Sequence, residues 1–159
     1  MIKSLLFLDI DGVLNCFGPD GHPPHPFKDK FEADKIELLN EIIKATNCFV
    51  VLSSAWRKCN SFLRMRAIFS RVGLLQPRKR YIDHVPCMCD FRPRMHGRGH
   101  QIEEYLKQND QWIEQPPNIV ILDDRDDMEP FMGRLVHTKS TQGLTKAHVT
   151  KAIKLLGKT

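Results

Sequence analysis

Three short apolar runs, each ending abruptly in polar residues, constrain the fold of this 159-residue chain more than any other feature. Acidic or hydroxyl side chains follow each run at once: SLLFL (4–8) by Asp9-Ile10-Asp11, CFVVL (48–52) by Ser53-Ser54, and NIVIL (118–122) by Asp123-Asp124. Continuous apolar runs of this length are typical of strands that are buried on both faces of a parallel sheet. The runs therefore predict a parallel sheet at the centre of the protein.

The segments between these runs predict helices and two shorter strands. Apolar residues recur at helical spacing from a capping box at Asp29 and Glu32 to Thr46, over 62–72, over 99–108 and over 145–156. Short strands are predicted at 81–85 and 135–137, and Pro116-Pro117 is expected to interrupt the chain. Alternating strands and helices predict an α/β fold, a Rossmann-like three-layer sandwich with a central parallel sheet, and the length fits a single domain over 1–159.

Several features predict a cytoplasmic protein with no membrane association. No apolar stretch approaches the roughly 20 residues of a membrane-spanning helix. The N-terminal run meets Asp9 and Asp11 where a signal peptide would carry a small-residue cleavage site. The five cysteines are odd in number and irregularly spaced, which favours reduced thiols over a disulfide framework. Nothing in the sequence indicates an obligate protein partner.

Positive charge is concentrated in one part of the chain. Residues 57–98, named the basic block here, contain eleven Lys or Arg against Asp83 and Asp90, so the block carries +9 in a chain of total charge +5. Such a block indicates either an anionic partner or a solvated surface. Charge alone leaves both interpretations open.

The polar residues after the apolar runs predict a metal site. In open α/β sheets, binding sites form outside the carboxyl ends of the strands. The predicted sheet would gather Asp9, Asp11, Asp123 and Asp124 there, and carboxylates buried together repel one another unless a cation compensates them. A hard divalent cation with oxygen ligands meets that need, and Mg²⁺ is the natural candidate.

A second group of ligand types suggests zinc less strongly. Cys87-x-Cys89 lies near three histidines along the chain, His84, His96 and His100. Structural zinc sites usually separate paired cysteines by about two to four residues, and this pair is closer. Zinc is therefore the weaker of the two metal hypotheses.

Four segments together resemble a known superfamily. LFLDIDGVLN (6–15) resembles the first motif of the haloacid dehalogenase (HAD) superfamily, VVLSS (50–54) the second, and IVILDD (119–124) the acidic fourth. Arg98, at the start of a predicted helix, resembles the third motif, and Arg94 is the competing choice. The resemblance implies a HAD-like fold and a Mg²⁺-dependent phosphomonoester hydrolase acting through an aspartyl-phosphate.

The resemblance also implies roles for individual residues. Asp9 would be the nucleophile, and Asp11 would be the general acid and base. Ser53, Ser54 and Arg98 would bind the substrate phosphate. The implied metal ligands are Asp9, the backbone carbonyl of Asp11, Asp123 and Asp124, with Asp127 as an alternative acidic ligand.

Two further residues next to the second motif could also contribute to a site. Arg57 follows Ser53 in a Ser-x-x-x-Arg spacing, and a guanidinium suits bidentate recognition of phosphate; a surface arginine is the alternative. Trp56 beside the second motif is expected to pack in the core or to stack on a base.

A finer resemblance is to the small phosphatase domains of nucleic-acid repair proteins, including the HAD domains of Swiss army knife RNA repair proteins and the phosphatase half of phage polynucleotide kinase-phosphatase. It is carried by SSAWR (53–57), LDDRDDM (122–128) and the LVHT…GLT stretch over 135–145. Neither interval between motifs is long enough for a large cap domain. With the basic block, this favours nucleic-acid ends or nucleotides as substrates. Phosphoproteins or small metabolites are the alternative, and a receiver-like phosphoacceptor domain is a more distant one.

Overall fold

Five strands and five helices form the part of the chain that the structure, a computed structural model, describes: residues 1–18, 20–21, 31–86 and 97–157. The strands are β1 (Ile2–Leu8), β2 (Phe49–Leu52), β3 (Tyr81–His84), β4 (Ile113–Asp123) and β5 (Leu135–His137). The helices are α1 (Ala33–Thr46), α2 (Phe62–Arg71), α3 (Pro77–Arg80), α4 (Arg98–Gln108) and α5 (Lys146–Leu156). Among these described residues, no helix has the length and apolar character needed to cross a membrane.

The strands form one sheet in the order β3-β2-β1-β4-β5, and every neighbouring pair is parallel. The α/β fold with a central parallel sheet is therefore confirmed. Leu8 at the end of β1 stands opposite Leu52 of β2 and Leu122 of β4. Because the register is level at this edge, the next residue of each strand emerges at the same place.

Successive residues of the central strands pack into separate cores on the two faces of the sheet. Leu6 and Leu8 belong to a core with residues of α1, α2 and α5. Leu5 and Phe7 belong to a second core with Ile102 and Tyr105 of α4. All four strand residues are fully buried, which explains why the sequence shows a continuous apolar run instead of alternation.

Two local predictions were wrong. Pro116-Pro117 does not interrupt the chain, because β4 extends from Ile113 through both prolines. The pairing with β1 shifts register between Ile2 and Ser4, so the prolines need not donate to the ladder. At α1 the N-cap is Glu32 without a side-chain cap, and its carboxylate accepts from the Cys16 amide instead (2.8 Å). Asp29 of the predicted capping box lies outside the described residues.

Candidate active site

Three carboxylates meet at the carboxyl ends of β1 and β4. Asp9 is 4% exposed, Asp123 is fully buried and Asp124 is half-buried. Each offers a carboxylate oxygen within 4.8 Å of the others. The backbone fixes this edge, since the Asp9 amide donates to the Leu122 carbonyl (2.9 Å). The strand ends predicted to converge do so.

Arg98 lies between two of these carboxylates. Its Nη1 is 2.6 Å from Asp9 Oδ2 and 2.6 Å from Asp123 Oδ2, and the residue is 8% exposed. Burial alone would lower the pKa of Arg98, but the adjacent charges of Asp9 and Asp123 outweigh burial and raise it. Arg98 therefore remains a cation at the centre of the cluster. The competing Arg94 lies outside the described residues.

A glycine positions Arg98 at this point. Gly99 brings the first turn of α4 against the loop after β4, where a Cβ would collide with the Glu129 carbonyl and the Met128 backbone. The Gly99 amide donates to the Asp127 carbonyl (3.0 Å), and the Arg98 amide donates to Asp127 Oδ2 (3.1 Å). Asp127 thus anchors the helix N-terminus, and it is not one of the three clustered carboxylates.

Asp11 is oriented by two side chains. Its Oδ1 accepts from Asn15 Nδ2 (2.9 Å) and its Oδ2 accepts from Trp56 Nε1 (2.9 Å). Burial raises the pKa of Asp11 against the lowering effect of these two hydrogen bonds. Trp56 is 7% exposed and packs against Phe31, so it is a core residue whose indole N–H reaches the site. The alternative that Trp56 stacks on a base is not compatible with this burial.

The two serines after β2 face different partners. Ser53 donates its amide to the Leu8 carbonyl (2.9 Å), which ties it to the end of β1. Ser53 Oγ is buried and has no hydrogen-bond partner in the described part of the chain. Ser54 Oγ accepts from the Trp56 amide (3.3 Å) and caps the short 3₁₀ turn over 55–58. A hydroxyl without a partner, next to Asp9, is available to a ligand.

Arg57 crosses from the β2 loop to α4. Its Nη1 donates to the carbonyls of Ser53 (2.7 Å) and Ser54 (2.6 Å), and its Nη2 donates to Gln101 Oε1 (2.6 Å). Its Nε is buried without a partner among the described residues. Burial, and then the charge of Arg98, lower the pKa of Arg57 to about 10. Arg57 thus supports the backbone of the second motif, a contact the sequence did not predict.

Gly12 and Thr138 hold together the loops after β1, β4 and β5 next to Asp124. Gly12 has φ of +74°, and a Cβ there would collide with the Asp124 carboxylate. Thr138 donates its hydroxyl to the Gly12 carbonyl (2.7 Å) and its amide to the Asp123 carbonyl (2.9 Å). Thr138 was not predicted as a site residue; its signals were its place just after β5 and its membership of the LVHT…GLT stretch.

The carboxylate cluster fits a divalent cation. One guanidinium faces three carboxylates, so negative charge remains in excess. Burial, and then the charge of Asp9, raise the pKa of both Asp123 and Asp124. A hard cation with oxygen ligands, such as Mg²⁺, would relieve this excess. Within the described residues, no other group of three His, Cys, Asp or Glu side chains has metal-binding geometry. Cys87, Cys89 and His96 of the zinc hypothesis lie outside them.

Comparison with known families places the chain. The family described as the HAD domain in Swiss Army Knife RNA repair proteins matches residues 5–149, from within β1 to within α5. No curated protein matches the chain. The matched region contains the whole carboxylate cluster with Arg98, Ser53 and Asp11, so the resemblance seen in the motifs is confirmed. The chain belongs to the family of HAD domains found in Swiss Army Knife RNA repair proteins.

Proposed function

We propose that this HAD phosphatase domain is a Mg²⁺-dependent phosphomonoester hydrolase that acts through an aspartyl-phosphate on nucleic-acid ends or nucleotides. The observation that carries the proposal is the convergence, at adjacent strand ends, of a buried carboxylate pair bridged by Arg98 and a buried hydroxyl without a partner. Phosphoryl transfer requires a nucleophile, a proton donor, and positive charges or hydrogen-bond donors around the phosphoryl oxygens. This site contains residues suited to each of these roles.

In the first half of the reaction, an oxygen of the Asp9 carboxylate attacks phosphorus as the bond to the leaving oxygen breaks. Asp11 gives its proton to that leaving oxygen, and burial, which raises the pKa of its carboxyl group, favours the form that this step needs. In the second half, Asp11 takes a proton from water, which attacks phosphorus and releases phosphate and the free Asp9 carboxylate. Atoms and charges balance over the two steps.

The phosphoryl oxygens would be held by Ser53, Ser54, Arg57 and Arg98. Ser53 would donate its unpartnered hydroxyl, Ser54 its backbone N–H and Arg98 its guanidinium. Arg57 would contribute through its unpartnered Nε, since both terminal nitrogens already donate to protein oxygens. Preorganised donors of this kind stabilise developing charge without reorganising during the reaction.

The ligands proposed for Mg²⁺ are Asp9, the backbone carbonyl of Asp11, Asp123 and Asp124. When bound, the ion would offset the charge of the phosphoryl group and of the carboxylates around it. Asp127 is a weaker candidate because both of its oxygens already accept from Arg125 (2.9 and 2.7 Å).

Turnover of p-nitrophenyl phosphate tests the reaction. We expect activity that EDTA abolishes and Mg²⁺ restores. Asp9→Asn should remove detectable turnover because an amide cannot act as the nucleophile, and Asp11→Asn should slow it by about 10² to 10⁴. Asp126→Asn, at an exposed position in the same loop as Asp124, is the matched control and should keep the wild-type rate. Full activity after exhaustive chelation, or wild-type turnover by Asp9→Asn, would contradict the mechanism.

The substrate class is tested by phosphate release from 3′- and 5′-phosphorylated oligonucleotides, mononucleotides and a phosphopeptide. We expect the oligonucleotides or mononucleotides to have the highest kcat/KM. A preference for the phosphopeptide would favour a phosphoprotein phosphatase of the same superfamily. A stable phosphorylated protein without turnover would favour the receiver-like alternative.

A further inference from the structure

We infer that a cavity beside the reaction centre binds a second phosphate group of the substrate. This inference rests on the proposed function and specifies its substrate class. The cavity has a volume of about 220 Å³ and is lined mainly by polar side chains. Its charged and amide-bearing lining residues are Arg57, Lys58, Arg98, Gln101, Arg125 and Asp127. We name it the second-phosphate cavity.

The second-phosphate cavity adjoins the position proposed for the scissile phosphate. Arg98 lines the cavity and also contacts the proposed nucleophile Asp9 at 2.6 Å. Arg57 lines it too, and donates to the carbonyl of Ser53 (2.7 Å), the residue whose buried hydroxyl has no partner in the described part of the chain. Both arginines therefore contact residues of the reaction centre and also line the cavity, so the groups that occupy the two positions would be near neighbours in one substrate.

The charges that line the cavity are not balanced by the protein. Four cationic side chains face a single carboxylate, Asp127, which already pairs with Arg125 (2.7 Å). Arg98 is balanced by Asp9 and Asp123. Arg57 and Lys58 form no ion pair with a carboxylate in the part of the chain that the structure describes.

Arg57 gives the clearest sign of a missing anion. Its contacts are the neutral oxygens of two carbonyls and of Gln101, and its buried Nε has no partner among the described residues. Arg57 is half-buried. A partly desolvated guanidinium without a counter-charge is unfavourable, and an unsatisfied buried donor adds to that cost. An anion in the cavity would supply that counter-charge.

Phosphate is the anion that fits this cavity best. Arginines bind phosphate oxygens through paired N–H groups, and a lysine adds a further positive charge. A phosphomonoester substrate offers such a second group either as another terminal phosphate, as in a nucleoside bisphosphate, or as the first phosphodiester of a nucleic-acid end. Both groups present anionic phosphate oxygens to the cavity, and an aryl phosphate contains neither of them.

The test compares substrates with one and two phosphates. Adenosine 3′,5′-bisphosphate supplies a second terminal phosphate, and the dinucleotides ApAp and pApA supply a phosphodiester next to a terminal phosphate. We expect kcat/KM on at least one of these to exceed that on adenosine 3′- or 5′-monophosphate by about ten-fold, the value of one charge-assisted contact. The better of the two kinds identifies the source of the second phosphate.

Variants connect that preference to the cavity. Lys58→Ala combined with Arg125→Ala should bring the ratio of kcat/KM for two-phosphate over one-phosphate substrates close to one. Lys107→Ala removes an exposed cation at the far end of α4, where it pairs with Glu103 (3.1 Å), and should keep the wild-type ratio. Thermal unfolding of each variant checks that it is folded.

A wild-type ratio near one, or a ratio that Lys58→Ala with Arg125→Ala does not change, would overturn the inference. Failure of the proposed function is recognised separately, since the wild-type protein would then not hydrolyse p-nitrophenyl phosphate. Calorimetric titration of Asp9→Asn with adenosine 3′,5′-bisphosphate and with the monophosphates measures the same preference as a Kd ratio without turnover. Equal Kd values there would also refute the second-phosphate cavity.

Discussion

Trp56 shows how one side chain can belong to both the core and the reaction centre. Its ring packs against Phe31 (5.4 Å between centroids) and is 7% exposed, while its Nε1 donates to Asp11 Oδ2 (2.9 Å). Asn15 holds the other oxygen of the same carboxyl group (2.9 Å). The orientation of the proposed general acid is therefore set from two sides, and Trp56 is a positioning residue.

Trp56→Phe should separate positioning from packing. Phe fills most of the same space but cannot donate to Asp11, so proton delivery to the leaving oxygen becomes less effective. We expect kcat/KM on a nucleoside monophosphate, whose alkoxide needs that proton, to fall about five- to ten-fold, the value of one hydrogen bond. For p-nitrophenyl phosphate, kcat/KM should change much less, because it reports formation of the aspartyl-phosphate and not its hydrolysis, and the leaving group needs little protonation.

The second tryptophan provides the control for that comparison. Trp112 is 63% exposed, and Trp112→Phe should leave both rates unchanged. Equal slowing of both substrates by Trp56→Phe would mean that the indole acts through the stability of the site and not through Asp11.

For single residues, the sequence predicted which side chains lie together better than it predicted the hydrogen bonds that they form. Asp9, Ser53 and Asp123 could be placed together because each directly follows a buried strand. The hydrogen bond from Trp56 to Asp11 joins residues 45 positions apart, and it depends on how the 3₁₀ turn lies relative to the loop after β1. No spacing rule predicts a contact of that kind, nor the donation from Arg57 to the carbonyls of its own loop.

At the scale of single elements, α5 carries a titratable cap. Thr145 caps the helix and accepts from the His148 amide, while the Thr145 amide donates to His148 Nδ1 (3.1 Å). Nδ1 can accept only when the imidazole is neutral. Burial, and then the nearby basic side chains of Lys151, His137 and Lys35, lower the pKa of His148. The folded protein therefore favours the neutral imidazole.

The cap makes stability depend on pH in a defined direction. Above the unfolded pKa of about 6.5 His148 is neutral in both states, and the full contribution of the cap is present. As the pH falls below that value, the unfolded state binds the proton first and the contribution is lost. Between about pH 7.5 and pH 5, we expect wild type to lose about 0.5–1 kcal/mol more unfolding free energy than His148→Gln.

Urea unfolding of both proteins at the two pH values measures this difference. Gln is a good residue for the same position of a capping box and does not titrate, so effects of other groups cancel in the comparison. Parallel loss of stability in wild type and His148→Gln would show that His148 does not control the cap.

Helices and strands were predicted well where the apolar residues follow a strong pattern. They were predicted poorly where the pairing between strands decides the structure. The buried runs of β1, β2 and β4 and the amphipathic α1, α2, α4 and α5 were all recognisable. The extension of β4 through Pro116-Pro117 was not, because it depends on a register shift against β1. Neither was α3, whose sequence PRKR has no apolar face.

At the scale of the whole molecule, the fold divides the basic block between opposite ends of the sheet. Arg57 and Lys58 follow the carboxyl end of β2, and Arg98 lies in the carboxylate cluster. Arg78, Lys79 and Arg80 form α3, directly before the amino end of β3, which runs parallel to β2. A count of charges along the chain cannot reveal this division, because it depends on strand direction.

Arg80 has a structural role at that opposite end. Its Nη1 donates to the Asn47 carbonyl (2.8 Å), and its guanidinium lies over the Phe49 ring (5.1 Å to the centroid). It therefore joins α3 to the start of β2. A variant that tests the charge of α3 should keep Arg80 and replace only Arg78 and Lys79.

The division of the basic block predicts how activity depends on substrate length and salt. Among the described cations of the block, Arg57, Lys58 and Arg98 line the cavity beside the site, whereas those of α3 do not. We therefore expect kcat/KM to rise from mononucleotide to dinucleotide and to level off by about three nucleotides. The log–log dependence of kcat/KM on salt should steepen by about −0.7 for each phosphate neutralised and then stop steepening.

Two double variants test this prediction. Arg78→Ala with Lys79→Ala should leave the dependence of kcat/KM on substrate length and salt unchanged, whereas Lys58→Ala with Arg125→Ala should reduce both. A different result would contradict this division. If kcat/KM kept rising up to about ten nucleotides, and Arg78→Ala with Lys79→Ala removed that rise, the bound nucleic acid would have to run along the edge of the sheet from the site to α3. The block would then act as one surface in spite of the fold.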